Sequence, residues 1–248
     1  MSQQDITNIL NEWEYEEGNN IRIIRTNSGR DILQVRETMG ISQYELDGRP
    51  DGKKISGFAT FLEQALVREK KEKSKFSLSK EDIKNLEHEN RLFYHRYLLC
   101  FQINDYERVV RDTDHNLAIC RMIDLYCYDK ETKASILQYR PFLVKMNAVS
   151  RAMISLQKNI KIIAKDILES AVSTLRSMPE IDTSLFILEK SRSIDYLESA
   201  IKQLDAPPGG DQDNNSDIDT LNRELNIAVA MENYEKAAEL RDKIKELF

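Results

Sequence analysis

From Gly57 to Leu204 apolar residues return every three or four positions, and that interval is broken at only a few points. An amphipathic helix needs this spacing to gather its apolar side chains on one face, so a chain that keeps it over more than half its length must fold largely as packed helices. Glycine and proline are scarce, at 8 and 5 of 248 residues, and 31% of the residues are charged, which also favours helices over a sheet-rich fold.

The stripes can be taken in order. Phe58, Phe61, Leu62, Ala65 and Leu66 form the first, followed by the largely basic run 68–75, in which Glu69 and Glu72 dilute the field of the lysines. Ser79 and Asp82 have the spacing of a capping box and open a helix with Ile83, Leu86, Phe93, Tyr97 and Phe101 inward. Asn104-Asp105 breaks it, and Tyr106, Val109, Val110, Thr113, Leu117 and Cys120 mark a second helix packed against the first. Pro141 belongs in the first turn of another. Residues 148–175 hold the longest uninterrupted pattern, with Ile160, Ile163, Ala164, Ile167, Leu168, Ala171 and Leu175 inward, ended by Pro179. Leu185, Leu188, Ile194, Leu197, Ile201 and Leu204 then suit a bundle helix or a short coiled-coil seam.

The segment ahead of Gly57 reads differently. Residues 1–20 hold the only tryptophan, Trp13, and suggest a short helix or an arm over the core. The β-branched runs 21–26, 31–36 and 41–46 predict a three-stranded antiparallel meander, with Asn27 and Gly29 suited to positive-φ turn positions. The loop 47–52, with two Asp-Gly pairs around Pro50, reverses the chain; the alternative is a binding loop with Arg49 exposed for an anion. Pro207, Pro208 and two glycines followed by acidic and amide residues mark a flexible linker at 206–217. The expected organisation is an arm and meander at 1–54, a helical body at 55–205, the linker, and a helical hairpin at 218–248.

In that last stretch Leu221, Leu225 and Ala228, then Tyr234, Ala237, Ala238, Leu240, Ile244 and Leu247, follow helical spacing in two phases. Two arms of about three turns each are too short to stand alone in water, so the hairpin must bury a face on its own chain or on a partner. The stretch resembles the UVR motif, the hairpin shared by UvrB, UvrC and stress regulators of the McsA and Clp-ATPase kind. The residues that carry the resemblance are Leu221, Leu225, Ala228, Tyr234, Glu235 to Ala238, Leu240, Arg241, Asp242, Ile244 and Leu247. The resemblance implies a protein-contact module without catalytic residues, so these positions are the expected partner-binding set. The echo of Asn233-Tyr234 in Asn104-Asp105-Tyr106, and more faintly in Lys158-Asn159-Ile160, is similar to tetratricopeptide repeats.

Chemistry beyond contact is scarcely signalled. There is no phosphate-cradling glycine loop, no Gly-x-Ser-x-Gly elbow and no His-Glu-x-x-His helix. Asp112 and His115 have a carboxylate–histidine offset but lack the second pair a di-iron bundle needs, so no metal, cofactor or catalytic residue is assigned. Arg111, Asp112 and Asp114 are expected in surface or interhelix pairs instead. The net charge of -6 argues against tight duplex binding, and nucleic-acid binding is expected to be weak or absent. Cys100, Cys120 and Cys127 form no Cys-x-x-Cys pair and read as buried thiols, unlike the paired cysteines of McsA-like proteins. No apolar run approaches a membrane span, and the cytoplasm is the expected location. Three function classes follow: a non-catalytic adaptor binding a protein partner or a second copy through the hairpin; an accessory of nucleotide excision repair that docks on a UvrB- or UvrC-like protein and contacts DNA through the basic strip 68–75, or a stress-response regulator; and an enzyme centred on Asp112 and His115.

Overall fold

The computed structural model describes residues 5–206, 221, 225 and 234–246, with side chains in the last stretch given at 236 and 238–244. The chain opens with a short helix, α1 (Thr7–Glu12), which has no side-chain cap and buries nothing. It leads into Trp13, whose ring lies 3.9 Å from the Arg22 guanidinium and whose carbonyl accepts from Arg36 Nε at 2.7 Å. The arm is thus laid along the sheet by two arginines.

The meander forms as β1 (Ile21–Arg25), β2 (Asp31–Glu37) and β3 (Gly40–Glu45), in the order β1-β2-β3 and antiparallel throughout. Only one of the two expected residues takes a positive φ in the first turn: Gly29 has φ 80° and Asn27 does not. Leu33 and the following Leu46 are fully buried and join the core of the helices.

The first amphipathic helix is α2 (Phe61–Glu72), started by Thr60, whose hydroxyl accepts from Glu63 N. It begins later than the first stripe implied: Phe58 lies in the preceding loop, bridged to Ile55. A 3-10 turn (Lys73–Lys75) follows. α3 (Lys80–Gln102) starts from the full capping box of Ser79 and Asp82, and α4 (Tyr106–Tyr126) from Asp105. Between them Asn104 takes φ 59°, the left-handed conformation that stops a helix and that asparagine tolerates better than most residues. Tyr106 then packs edge-on against Phe101, with ring centroids 5.7 Å apart. Interhelix pairs match Arg96 to Asp112 and Glu89 to His115, so α3 and α4 run antiparallel.

α5 (Lys130–Leu137) leads to α6 (Arg140–Gln157), with Pro141 in its first turn, and then come α7 (Lys161–Ser177) and α8 (Ser184–Asp205). The pattern 148–175 is therefore two helices. Asn159, at φ 59°, ends α6 without a glycine or proline to announce the stop. Its consequence is that Ile160 and Ile163, expected inward, are exposed, while Ala164, Leu168, Ala171 and Leu175 remain inside. The inner face of α8 is also shifted at its start: Phe186 is buried, Leu185 only partly so and Leu188 exposed. The described body helices run 12, 23, 21, 8, 18, 17 and 22 residues, so they carry no fixed repeat unit.

Two apolar cores result. One joins the sheet, α2, α3, α4 and α5; the other lies among α6, α7 and α8. α6 serves both, giving Leu143 and Met146 to the first and Ala148 and Ala152 to the second. Among the described residues no helix is long and apolar enough to cross a membrane.

Candidate partner-binding hairpin and the buried ionic network

α9 (Tyr234–Glu246) carries the motif's second arm, and residues 221 and 225 are also helical. Leu240 is buried, and Leu221 and Leu225 pack against it. In one straight helix Leu225 and Leu240 would stand about 22 Å apart. Residues far apart along the chain are thus packed together, the contact expected of two paired helical arms. Leu221 and Leu225, both in the expected partner-binding set, are in contact with Leu240.

Ala238 and Ile244 are half-buried, while Arg241 and Asp242 are exposed and paired with each other at 3.0 Å. Glu239 accepts from Lys243 at 2.5 Å and from Lys236 at 3.1 Å, and these two hydrogen bonds hold its carboxyl below the usual range. Lys236 Nζ also comes within 4.0 Å of Glu17 on the N-terminal arm. The side chains of Tyr234 and Ala237, and residues Ala228 and Leu247, lie outside the described residues, as does the linker from 207 onward.

A second constellation was not foreseen from sequence. Glu89 of α3 is fully buried and fully occupied: it accepts from Phe61 N at 2.7 Å, Leu62 N at 2.9 Å and Arg49 Nη1 at 2.9 Å, with His115 Nε2 at 3.1 Å. Burial alone would raise this carboxyl, but the hydrogen bonds from His115 and the two amides, with the His115 charge, outweigh it and hold the pKa below the ordinary value. It caps α2 from another helix, at the end where the helix dipole favours an anion. Arg49 is 5% exposed and forks between Glu89 and Asp51, so the loop 47–52 does not offer it to an external anion.

Beside this lies the buried pair Arg96 and Asp112, bidentate at 2.6 and 2.7 Å. Arg96 also donates to the carbonyls of Glu45 and Gly48, and Arg111 to that of Leu46 while touching Asp112. Together these bonds fasten the end of β3 to α3 and α4. Asp112 and His115 turn to different partners, Asp112 to arginines and His115 to Glu89 and a stacked Phe93 ring at 3.8 Å. Asp114 pairs with Arg151, the interhelix role expected of it. Among the described residues no group of three or more His, Cys, Asp or Glu is placed to hold a metal. The cysteines are buried as expected, and burial pushes the thiols of Cys100 and Cys120 up to about 12. The ionic network was signalled only by polar residues standing on apolar stripes: Glu89 and Arg96 beside Leu86, Phe93 and Tyr97, and Asp112 beside Val109 and Thr113.

Among the described residues, the last stretch has the make-up of a helical contact module, with Leu221 and Leu225 packed on the buried Leu240. Residues 216–247 match the family model described as the UvrB/uvrC motif, so the chain carries a UVR motif there. The match supports protein–protein contact and is confined to that stretch; the tetratricopeptide resemblance of the body gains no support. No curated protein and no solved structure matches the chain.

Proposed function

We propose that this protein is a non-catalytic adaptor of the cell interior that captures a protein partner through its UVR hairpin, with the helical body as the part it delivers. The observation that carries this reading is the motif match at 216–247, within which Leu221 and Leu225 pack on the buried Leu240. Two arms of about three turns have limited stability of their own, and burying one leucine more is worth about 2 kcal/mol. An added apolar contact from a partner is what such a module gains most from. The buried carboxylates of the body support the same reading, since both oxygens of Glu89 and of Asp112 are already held by protein donors.

The test uses the full chain. Purified parent and two variants, Ile244→Asp and Ala238→Glu, are immobilised and offered purified UVR-bearing proteins and a second copy of the chain, with binding read by interferometry. The parent should bind one of them and both variants should lose at least tenfold in affinity, while the body's thermal transition stays put. A partner held equally by parent and variants would remove the hairpin from the recognition surface.

A further inference from the structure

Lys145 stands on α6 at the seam between the two apolar cores. Its Nζ lies 4.6 Å from the ring centroid of Phe142, which packs on the first core, and 5.5 Å from that of Tyr196 on α8, which packs on the second. The side chain is partly buried. An ammonium carries three N–H donors and calls for acceptors. Among the described residues no acceptor lies within hydrogen-bond range of this one, and no carboxylate within ion-pair range.

Burial is the largest influence on the amine and holds its pKa below the ordinary lysine value. Two charges of α8 act on it in opposite senses: Glu189 favours the ammonium and Arg192 the neutral amine. Glu189 itself comes within 4.0 Å of Arg192, so the two fields partly cancel at Lys145. The ring faces also attract a cation. A ring face replaces only part of what water's hydrogen bonds supply, so it softens the effect of burial without reversing it.

We propose that Lys145 is a modification site, whose amine takes an acyl group from small acyl thioesters. The nitrogen lone pair attacks the thioester carbonyl carbon, a C–N bond forms, the C–S bond breaks, and the thiolate leaves with the proton that the amine gives up. A lysine taken out of water against apolar groups and beside another cation is the arrangement that makes an amine nucleophilic at neutral pH. The same surroundings select the electrophile. An amide product carries no charge and suits a place that offers an ammonium no acceptor, whereas the imine from an aldehyde becomes a cation again on protonation. Lys145 belongs to the body and the hairpin takes no part, so this proposal and the adaptor reading can fail independently.

The full chain is incubated with the acetyl thioester of N-acetylcysteamine, and its unreacted lysines are then acetylated to completion in denaturant with deuterated acetic anhydride. The light-to-heavy ratio at each lysine is read by mass spectrometry. Near neutral pH Lys145 should react at least about fivefold faster than the exposed Lys71 and Lys202. That advantage should shrink as pH rises through the ordinary lysine range, because the exposed amines then lose their protons as well. Glu189→Gln removes the charge that favours the ammonium and should speed Lys145 further, whereas Arg192→Gln should slow it; Lys71 and Lys202 should keep their rates in both. Urea that unfolds the body should abolish the advantage, a control that needs no variant. Lys145 reacting no faster than Lys71, an advantage that does not change with pH, or a Lys145 rate unmoved by both α8 variants would each overturn the proposal.

Discussion

Replacing Glu89 by Gln removes one negative charge from the body and leaves the volume almost unchanged. Four donors converge on the native carboxylate: the amides of Phe61 and Leu62, Arg49 Nη1 and His115 Nε2. A glutamine presents one acceptor oxygen and turns an NH2 group toward donors, so at least one backbone N–H of α2 loses its partner and the buried Arg49 keeps only the charge of Asp51. Breaking a buried, hydrogen-bonded ion pair from one side costs about 3–5 kcal/mol, because the remaining charge stays desolvated. For a body of this size that corresponds to a fall in Tm of roughly 6–20 °C and, with m of about 3 kcal/mol/M, to a urea midpoint lower by roughly 1–1.7 M. The acid limb supplies a second readout. Because the folded pKa of Glu89 is depressed below the ordinary 4.5, its contribution is present above that value and is lost as pH falls through the folded value. The gap in midpoint between parent and variant should thus be full near neutral pH and narrow once pH drops below the ordinary carboxylate range. Adding Arg49→Met to the variant should cost less than the two single losses combined, since it removes the stranded cation. A midpoint shift below about 0.3 M for Glu89→Gln, or a gap that does not change with acid, would refute the network as a stabilising device.

Two further expectations concern smaller features. Asn159→Ala should lower Tm by about 2–4 °C, because a non-glycine residue other than asparagine meets about 1 kcal/mol of strain at φ 59°, whereas Asn159→Gly should be near neutral; equal effects would mean that the left-handed stop is not the constraint. Cys100 and Cys120, with thiols pushed up to about 12, should not release thionitrobenzoate from a disulfide reagent at mildly alkaline pH until urea unfolds the body, and rapid release from the native protein would contradict the burial.

The helical body was legible because its boundaries are written in side-chain chemistry. Ser79 with Asp82, Asp105 and Pro141 each carry a local physical reason for a helix to start, and each does so in the structure. The stop at Asn159 was less visible. Asparagine is permitted rather than required in the left-handed region, and the apolar residues on both sides happen to continue a three-four rhythm. Ile160, Ile162 and Ile163 show the limit of that rhythm: Ile162 is 77% exposed, and apolar character alone does not say which face a side chain takes. The shifted phase at the start of α8 has the same origin, since Leu185, Phe186 and Leu188 are all apolar and only packing against α6 and α7 selects Phe186.

The candidate sites differ in legibility for a related reason. The hairpin is contiguous, and two arms too short to fold alone must meet through a few residues at fixed offsets, so its pattern survives in one stretch of sequence. Glu89 was half legible: a charged residue seven positions before Arg96, on a stripe shared with Leu86, Phe93 and Tyr97, must either turn outward or find donors inside. What sequence withholds is the donors, because Arg49 and the amides of α2 lie far off in the chain and come together only when the loop 47–52 folds under α3.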